Sequence, residues 1–116
     1  MAAPAIPYPS LLIPEYDLAF LRDFCGGDEA QVRHFIKTFE VQYPLEIERL
    51  EAALERQDRE AIYQAAHSFK PQLEFMGLTK AANLAASLEK GARAGKSIGE
   101  LERLLEELKR KLSNKP

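Results

Sequence analysis

The sequence predicts an all-α protein, an antiparallel four-helix bundle with one or two additional short N-terminal helices. Apolar residues recur every three or four positions through most of the chain, and no segment shows the alternation of a half-buried strand. The stretches between these patterns are short, which favours antiparallel packing of neighbouring helices. The chain has 116 residues, of which 46% are hydrophobic, and this suffices for one domain with a single core.

The N-terminal part of the chain is rich in proline. Four of the seven prolines precede residue 15, and each one restricts φ and removes a backbone donor. We therefore expect residues 1–14 to form an extended or disordered arm, which the apolar run 11–13 could attach to the bundle, and residues 15–116 to form the bundle itself.

Two helices are predicted before the middle of the chain. The first runs from Tyr16 to Cys25, with Leu18, Leu21 and Phe24 facing inward, and glycines at 26 and 27 end it. The second begins at a capping box made by Asp28 and Gln31. We expect a kink or restart at Pro44, because proline fits best at the first position of a helix. The core positions before and after this proline share a helical spacing: Val32, Phe35, Ile36, Phe39, Tyr43, Ile47, Leu50 and Leu54.

Three further helices are predicted, and each has a candidate N-cap. Asp58 begins the third helix after a turn at Gln57, and Thr79 is expected to cap the fourth. Ser97 and Glu100 form a capping box for the last helix. The core stripe of the fourth helix is rich in small residues: Leu78, Ala81, Leu84, Ala85 and Leu88. The core stripe of the last helix consists mainly of leucines: Ile98, Leu101, Leu105, Leu108 and Leu112.

Composition excludes several classes of function. The net charge of −2 argues against binding nucleic acid by phosphate neutralisation, and the basic clusters lie near helix C-termini, where cations complement the helix dipole. A single cysteine, Cys25, indicates a reducing compartment. No apolar run is long enough to span a bilayer. We therefore expect a cytoplasmic protein that binds neither nucleic acid nor membrane.

The third predicted helix carries the candidate site. On a helical wheel with Ile62 at zero, Ala66, Phe69 and Leu73 lie within about 60° of it, whereas His67 lies near 140°. His67 is therefore expected on a polar surface, with Lys70 one turn further along the helix. Pro71 leaves the carbonyl of His67 without its usual donor, so we expect the helix to bend there.

These residues resemble a known family. The run His67-x-x-Lys70, followed by Gly77 and Leu78, resembles the histidine-containing phosphotransfer (Hpt) domain family. The helix pattern from about Tyr16 to Leu112 is similar to that family's bundle, and the phrase Thr38-Phe39-Glu40-x-x-Tyr43-Pro44 resembles its upstream layout. The similarity thus covers nearly the whole chain.

The resemblance implies a phosphorelay intermediate of two-component signalling. His67 would accept a phosphoryl group from a receiver-domain aspartate and pass it to another receiver, with Lys70 stabilising the charge. The partners would be response-regulator receiver domains and a hybrid sensor kinase. The domain would need no cofactor of its own, Mg²⁺ being expected on the partner receiver, and would act as a monomer and not as an enzyme. No glycine-rich phosphate loop precedes a helix, so we expect no ATP site.

The surroundings of His67 are expected to include Tyr63, Ala66, Pro71, Glu74 and Gly77. Tyr63, Ala66 and Phe75 are candidates for the apolar part of a docking surface, and Gly77 for a place where a side chain would obstruct approach or close packing. Pro71 stands where the family often has glycine, and Glu74 where a small residue is commoner.

A carboxylate at position 74 would cost roughly 0.7 to 3 kcal/mol if it lay about 6 Å from a phosphoryl charge. Glu74 could turn away, pair with Lys70, or accept a hydrogen bond from the imidazole. We expect Glu74→Ala not to lower phosphotransfer.

Other classes of function fit the residues less well. Ser68 and His67 are adjacent on a helix, so their side chains diverge by about 100° and cannot form a nucleophile–base pair. The two histidines are far apart and lack the pairing of a metal site. The main alternative is a non-catalytic helical adaptor that binds a signalling partner while His67 stays unmodified. The length and the initial Met1 favour a free-standing protein over a piece of a larger one.

Overall fold

The structure, a computed structural model, describes residues 16–113 and contains five helices in that range. They are α1 (Ala19–Phe24), α2 (Glu29–Glu55), α3 (Arg59–Phe75), α4 (Thr79–Ala94) and α5 (Ile98–Lys111). No strand occurs between residues 16 and 113. The all-α prediction is confirmed. The predicted arm over residues 1–14 lies outside the described residues.

Helices α2 to α5 form the bundle. Each packs against the next one along the chain, and α5 closes the arrangement by packing on α2. Short turns at 56–58, 76–78 and 95–97 connect the helices, so neighbours run antiparallel. The core lies between them and is formed by the predicted stripes, with fully or almost fully buried residues that include Val32, Ile36, Leu50, Ile62, Phe69, Leu73, Leu88, Leu101 and Leu108.

Side-chain caps begin three of the helices. Asp28 accepts hydrogen bonds from the backbone N–H groups of Ala30 and Gln31, and Asp58 accepts one from Ala61. Ser97 and Glu100 form the predicted capping box. The prediction for α4 was wrong: Leu78 occupies the N-cap without a side-chain hydrogen bond, and Thr79 is the first helical residue.

The first helix is shorter than predicted. It spans Ala19–Phe24 instead of Tyr16–Cys25, and Leu18 and Leu21 are buried as expected. Phe24, predicted to face inward, is 61% exposed. Because α1 ends at this residue, its ring lies at the rim of the bundle, where it packs edge-on against Phe35 and Phe75.

Both internal prolines lie inside continuous helices. Pro44 is within α2 and Pro71 within α3, so α2 does not restart at Pro44, and the alternative of a kink there stays a prediction. Proline removes a backbone hydrogen bond. Phe39 and Ile47 are buried on either side of Pro44, and this packing holds the two halves of α2 in one helix. The bend expected at Pro71 stays a prediction.

Gly77 lies where α3 ends and the chain turns into α4. Its φ is +72°, and the N–H groups of Gly77 and Leu78 donate to the carbonyls of Glu74 and Leu73, as in a Schellman motif. A Cβ at this position would overlap the carbonyl oxygen of Asp17 and lie 2.7 Å from its carbonyl carbon. Gly77 therefore allows close packing of the segment before α1, and this favours the second of its two predicted roles.

Between residues 16 and 113, no helix is long and apolar enough to cross a membrane.

Candidate functional site

His67 lies in the middle of α3 with its side chain 60% exposed. The helical wheel correctly predicted that His67 lies on the surface, since Ile62, Ala66 and Phe69 on the opposite face of α3 are completely buried. Ala66 therefore lies beneath the site and contributes nothing to an accessible docking surface, contrary to prediction. The imidazole is open to a partner while its backbone is anchored in the core.

A carboxylate from α4 holds one nitrogen of the imidazole. Nδ1 of His67 lies 2.8 Å from Oε2 of Glu89. An ionised carboxylate can only accept a hydrogen bond, so Nδ1 carries the proton and donates it to Glu89. In the neutral ring, Nε2 then has the free lone pair. The contact thus favours the tautomer whose free lone pair lies on Nε2.

Close packing of α3 and α4 brings Glu89 to the histidine. The face of α4 toward the core contains Ala81, Ala82, Ala85 and Ala92, all buried. Small side chains let two helices approach closely, so the side chain of Glu89 spans the remaining gap and is itself only 16% exposed. Sequence reasoning missed Glu89 because it considered neighbours on one helix only. The small-residue stripe of α4, which Glu89 flanks, was the signal that could have found it.

Tyr63 forms a side wall of the site. Its ring is nearly parallel to the imidazole, with an interplanar angle of 9° and ring centroids 5.6 Å apart. Arg93 of α4 places its guanidinium carbon 3.4 Å from the centre of the Tyr63 ring and donates to Glu60. The predicted neighbour Tyr63 thus contacts His67, and Arg93 is a further residue that the sequence did not indicate.

Lys70 is half-buried and lies one turn after His67, as predicted. Within residues 16–113, its ammonium group makes no hydrogen bond or ion pair. A cation at this spacing can therefore approach an anion on His67 without first leaving a carboxylate.

Glu74 and Pro71 are exposed on the same side of α3 as His67. Of the three alternatives for Glu74, the structure favours the first. Glu89, not Glu74, accepts from the imidazole, and no ion pair joins Glu74 to Lys70 among the described residues. Glu74 instead borders a shallow depression with Phe20, Pro71 and Phe75. Ser68 is not part of the site, because its hydroxyl donates to the carbonyl of Ala65.

Four phenylalanines form an aromatic patch beside the histidine face. Phe20 and Phe24 of α1, Phe35 of α2 and Phe75 of α3 pack mostly edge-to-face, with centroid distances of 5.2 to 5.9 Å among the edge-on pairs. Phe20 is 58% and Phe24 is 61% exposed. Because Phe20 and Phe75 meet Pro71 and Glu74, the patch is continuous with the exposed surface that leads to His67.

The site thus combines an exposed histidine, held by a carboxylate on the surface of a helical bundle, with a lysine one turn away that makes no ion pair within residues 16–113. This places the chain among helical-bundle proteins that display a histidine on their surface. A family model described as the Hpt domain matches residues 34–114 of the chain. The protein therefore belongs to the Hpt domain family, as the sequence resemblance indicated, and its general role is phosphotransfer in two-component signalling. Neither the comparison with curated proteins nor that with solved structures found a match.

Proposed function

We propose that this protein is a phosphorelay intermediate in which His67 accepts a phosphoryl group from a receiver-domain aspartate and passes it to a second receiver. The observation that carries this proposal is the His67 side chain, which is 60% exposed while its Nδ1 lies 2.8 Å from Oε2 of Glu89. A hybrid sensor kinase is the expected source of phosphate. The proposed working form is a cytoplasmic monomer.

The two proteins supply the nucleophile and the phosphoryl donor. The lone pair on Nε2 attacks the phosphorus of the aspartyl phosphate, the N–P bond forms, and the P–O bond to the aspartate breaks as its carboxylate leaves. The proton on Nδ1 stays in place, so the phosphorylated ring is cationic and Glu89 lies against it. Mg²⁺ on the receiver would assist at the leaving group. The reverse reaction on a second receiver returns His67 to its starting state.

Two charges of this chain favour the phosphorylated state. The Glu89 carboxylate stabilises the positive charge that develops on the imidazole, and Lys70 would approach the new negative charge on the phosphoryl group. Each acts where charge appears during transfer, which is the requirement for lowering a barrier by electrostatics. Lys70 is proposed for this role because it has no competing partner within the described part of the chain.

The proposal is tested with a receiver domain that has been charged by a small phosphodonor and then mixed with this protein. We expect label on the protein that is labile in acid and stable in alkali, and no label on His67→Gln. His34→Gln is the matched control, because His34 is also exposed but lies on α2 without a carboxylate partner in the described residues. Absence of label with every cognate receiver would exclude the relay.

A helical adaptor is the second candidate, and the aromatic patch is the observation in its favour. Phe20 and Phe24 are exposed whether or not His67 is modified. If the adaptor hypothesis is correct, the His67→Gln variant will support signalling in cells to the same extent as the unmodified protein. If the relay holds, the same variant will bind its receiver but transmit no signal.

A further inference from the structure

Arg93 stands in a position to compete with His67 for Glu89. Glu89 and Arg93 both lie on α4, four positions apart, with the glutamate first. This is the arrangement in which an acidic and a basic side chain pair best on a helix. Yet Arg93 forms no hydrogen bond or ion pair with Glu89 among the contacts of residues 16–113. The Glu89 charge nevertheless contributes to raising the pKa of Arg93, after the larger effect of the Glu60 hydrogen bond. The two groups are thus close but not paired.

Three residues of α3 hold the arginine elsewhere. Glu60 accepts a hydrogen bond from Arg93 over 3.0 Å. The same Glu60 oxygen accepts from Gln64 over 3.0 Å, which orients the carboxylate. The ring of Tyr63 lies under the guanidinium, with 3.4 Å from its centre to the guanidinium carbon, so a cation–π contact adds to the ion pair. Arg93 is therefore held one turn away from the Glu89–His67 contact.

We infer that Glu60 is a positioning residue for the histidine site: by holding Arg93 on the Tyr63 ring, it keeps the Glu89 carboxylate available to Nδ1 of His67. Glu60 touches no reacting atom and acts only through Arg93 and Glu89. Its role in phosphotransfer rests on the proposed function, whereas its effect on the state of the imidazole does not.

The size of the effect follows from the exposure of the groups. The side chains of Arg93 and Glu60 are 55% and 60% exposed, so their ion pair is one of the weak surface type. Removing Glu60 should therefore raise the population of the Arg93–Glu89 pair relative to that of the His67–Glu89 contact by about two- to fivefold. The shift favours the Arg93–Glu89 pair and leaves Nδ1 of His67 without its acceptor for more of the time.

The test measures the imidazole tautomers of His67 by ¹⁵N chemical shifts at about pH 9, above the usual titration range of imidazole. Glu60→Ala should lower the ratio of the Nδ1–H to the Nε2–H tautomer about two- to fivefold. Arg93→Ala alone should leave the ratio unchanged, and Glu60→Ala with Arg93→Ala should restore it. Glu106→Ala is the matched control, since it removes an exposed carboxylate from a distant ion pair with Lys109.

Two results would overturn the inference. One is an unchanged tautomer ratio in Glu60→Ala. The other is a lowered ratio that removal of Arg93 fails to restore, because Glu60 would then act by some route other than this arginine. Since the measurement uses the unphosphorylated protein, its outcome is independent of whether His67 accepts phosphate.

Discussion

At the scale of single residues, the two carboxylates near His67 have different surroundings. Glu89 reaches the imidazole from the neighbouring helix and is shielded from solvent, whereas Glu74 shares a helix with His67 but lies at the edge of the aromatic patch. Spacing along one helix predicted that Glu74 is the carboxylate near His67. The contact that matters joins positions 22 apart in sequence and depends on how two helices pack.

Replacing Glu89 should therefore slow phosphorylation of His67, and replacing Glu74 should not. We expect Glu89→Ala to reduce the rate of transfer from a phosphorylated receiver about tenfold, the loss of one hydrogen bond to a charged group. Glu89→Gln keeps an oxygen acceptor and should lose less. Glu74→Ala removes the same charge from the same region and is the matched control. If it slowed transfer as much as Glu89→Ala does, net charge and not the orientation of the ring would explain both effects.

At the scale of elements, α1 is a short helix that carries two phenylalanines, Phe20 and Phe24, which are exposed in the described part of the chain. Its buried residue Leu21 and the buried N-cap residue Leu18 attach it to the bundle, and this leaves Phe20 and Phe24 outside. Large exposed aromatic side chains next to a reactive group are typical anchors of a protein interface. In the proposed relay, α1 is thus the element that binds the receiver while α3 presents the histidine.

The corresponding prediction concerns receiver affinity. Phe20→Ala and Phe24→Ala should each weaken binding of a receiver domain about tenfold, the loss expected of an interface anchor. Val41→Ala should leave the affinity unchanged, because Val41 is 63% exposed on α2 but does not belong to the patch. Calorimetric titration of each variant measures the dissociation constants. Equal weakening by Val41→Ala would show that the receiver binds over a different surface.

The position of α1 also depends on Gly77. Any residue other than glycine is strained at its φ of +72°, and a Cβ would overlap the backbone of Asp17. We expect Gly77→Ala to lower the free energy of unfolding by roughly 2–4 kcal/mol, the sum of backbone strain and overpacking. Gly95 has a similar φ of +86°, and no atom of residues 16–113 would contact an added Cβ there, so Gly95→Ala should cost only the strain of about 1–2 kcal/mol. Urea denaturation of both variants measures the difference, and equal losses would contradict a role in packing α1.

Elements were easier to predict from the sequence than their contacts. The N-caps at Asp28, Asp58 and Ser97 and most of the buried stripes of α2 to α5 depend on local hydrogen bonds and local spacing, and these were confirmed. The capping box predicted at Asp28 did not form, because the N–H of Asp28 donates to the carbonyl of Cys25. Four predicted core residues are only partly buried: Phe35, Tyr43, Leu84 and Ile98. Phe24 was misplaced because its environment is set by the end of a six-residue helix at the rim of the bundle. The stack of His67, Tyr63 and Arg93 joins two helices, and no pattern within either helix specifies it.

At the scale of the whole molecule, long-range contacts from the first and last described segments converge on the middle of α2. The Tyr16 hydroxyl donates to Glu40 over 3.0 Å, and the Tyr43 hydroxyl donates to the carbonyl of Leu112 over 3.3 Å. Burial raises the pKa of Tyr16, and the nearby Glu40 charge raises it further, so Tyr16 remains the donor. The stability of the whole fold is thereby linked to the protonation of one carboxyl group on α2.

Partial burial raises the pKa of Glu40 above its ordinary value of about 4.5, and the Tyr16 hydrogen bond opposes this effect only in part. Between the ordinary and the raised value the folded state binds more protons than the unfolded state, so this residue's contribution to stability is lost as pH rises through that window. Glu40→Gln retains an acceptor for Tyr16 but does not titrate. The unfolding free energy of this variant minus that of the unmodified protein should therefore increase from about pH 4 to about pH 7.

Urea denaturation across this pH range measures that difference. Glu60→Gln supplies a comparison of opposite sign, because hydrogen bonds from Gln64 and Arg93 lower the pKa of Glu60. Because its pKa is lowered in the folded state, the ionised Glu60 stabilises the fold above its unfolded pKa, and this stabilisation is lost as pH falls. Glu60→Gln should therefore become more destabilising as pH rises toward neutral. A Glu40→Gln difference that stays flat or falls with pH would mean that the Tyr16 hydrogen bond outweighs burial, and that the ionised carboxylate stabilises the fold.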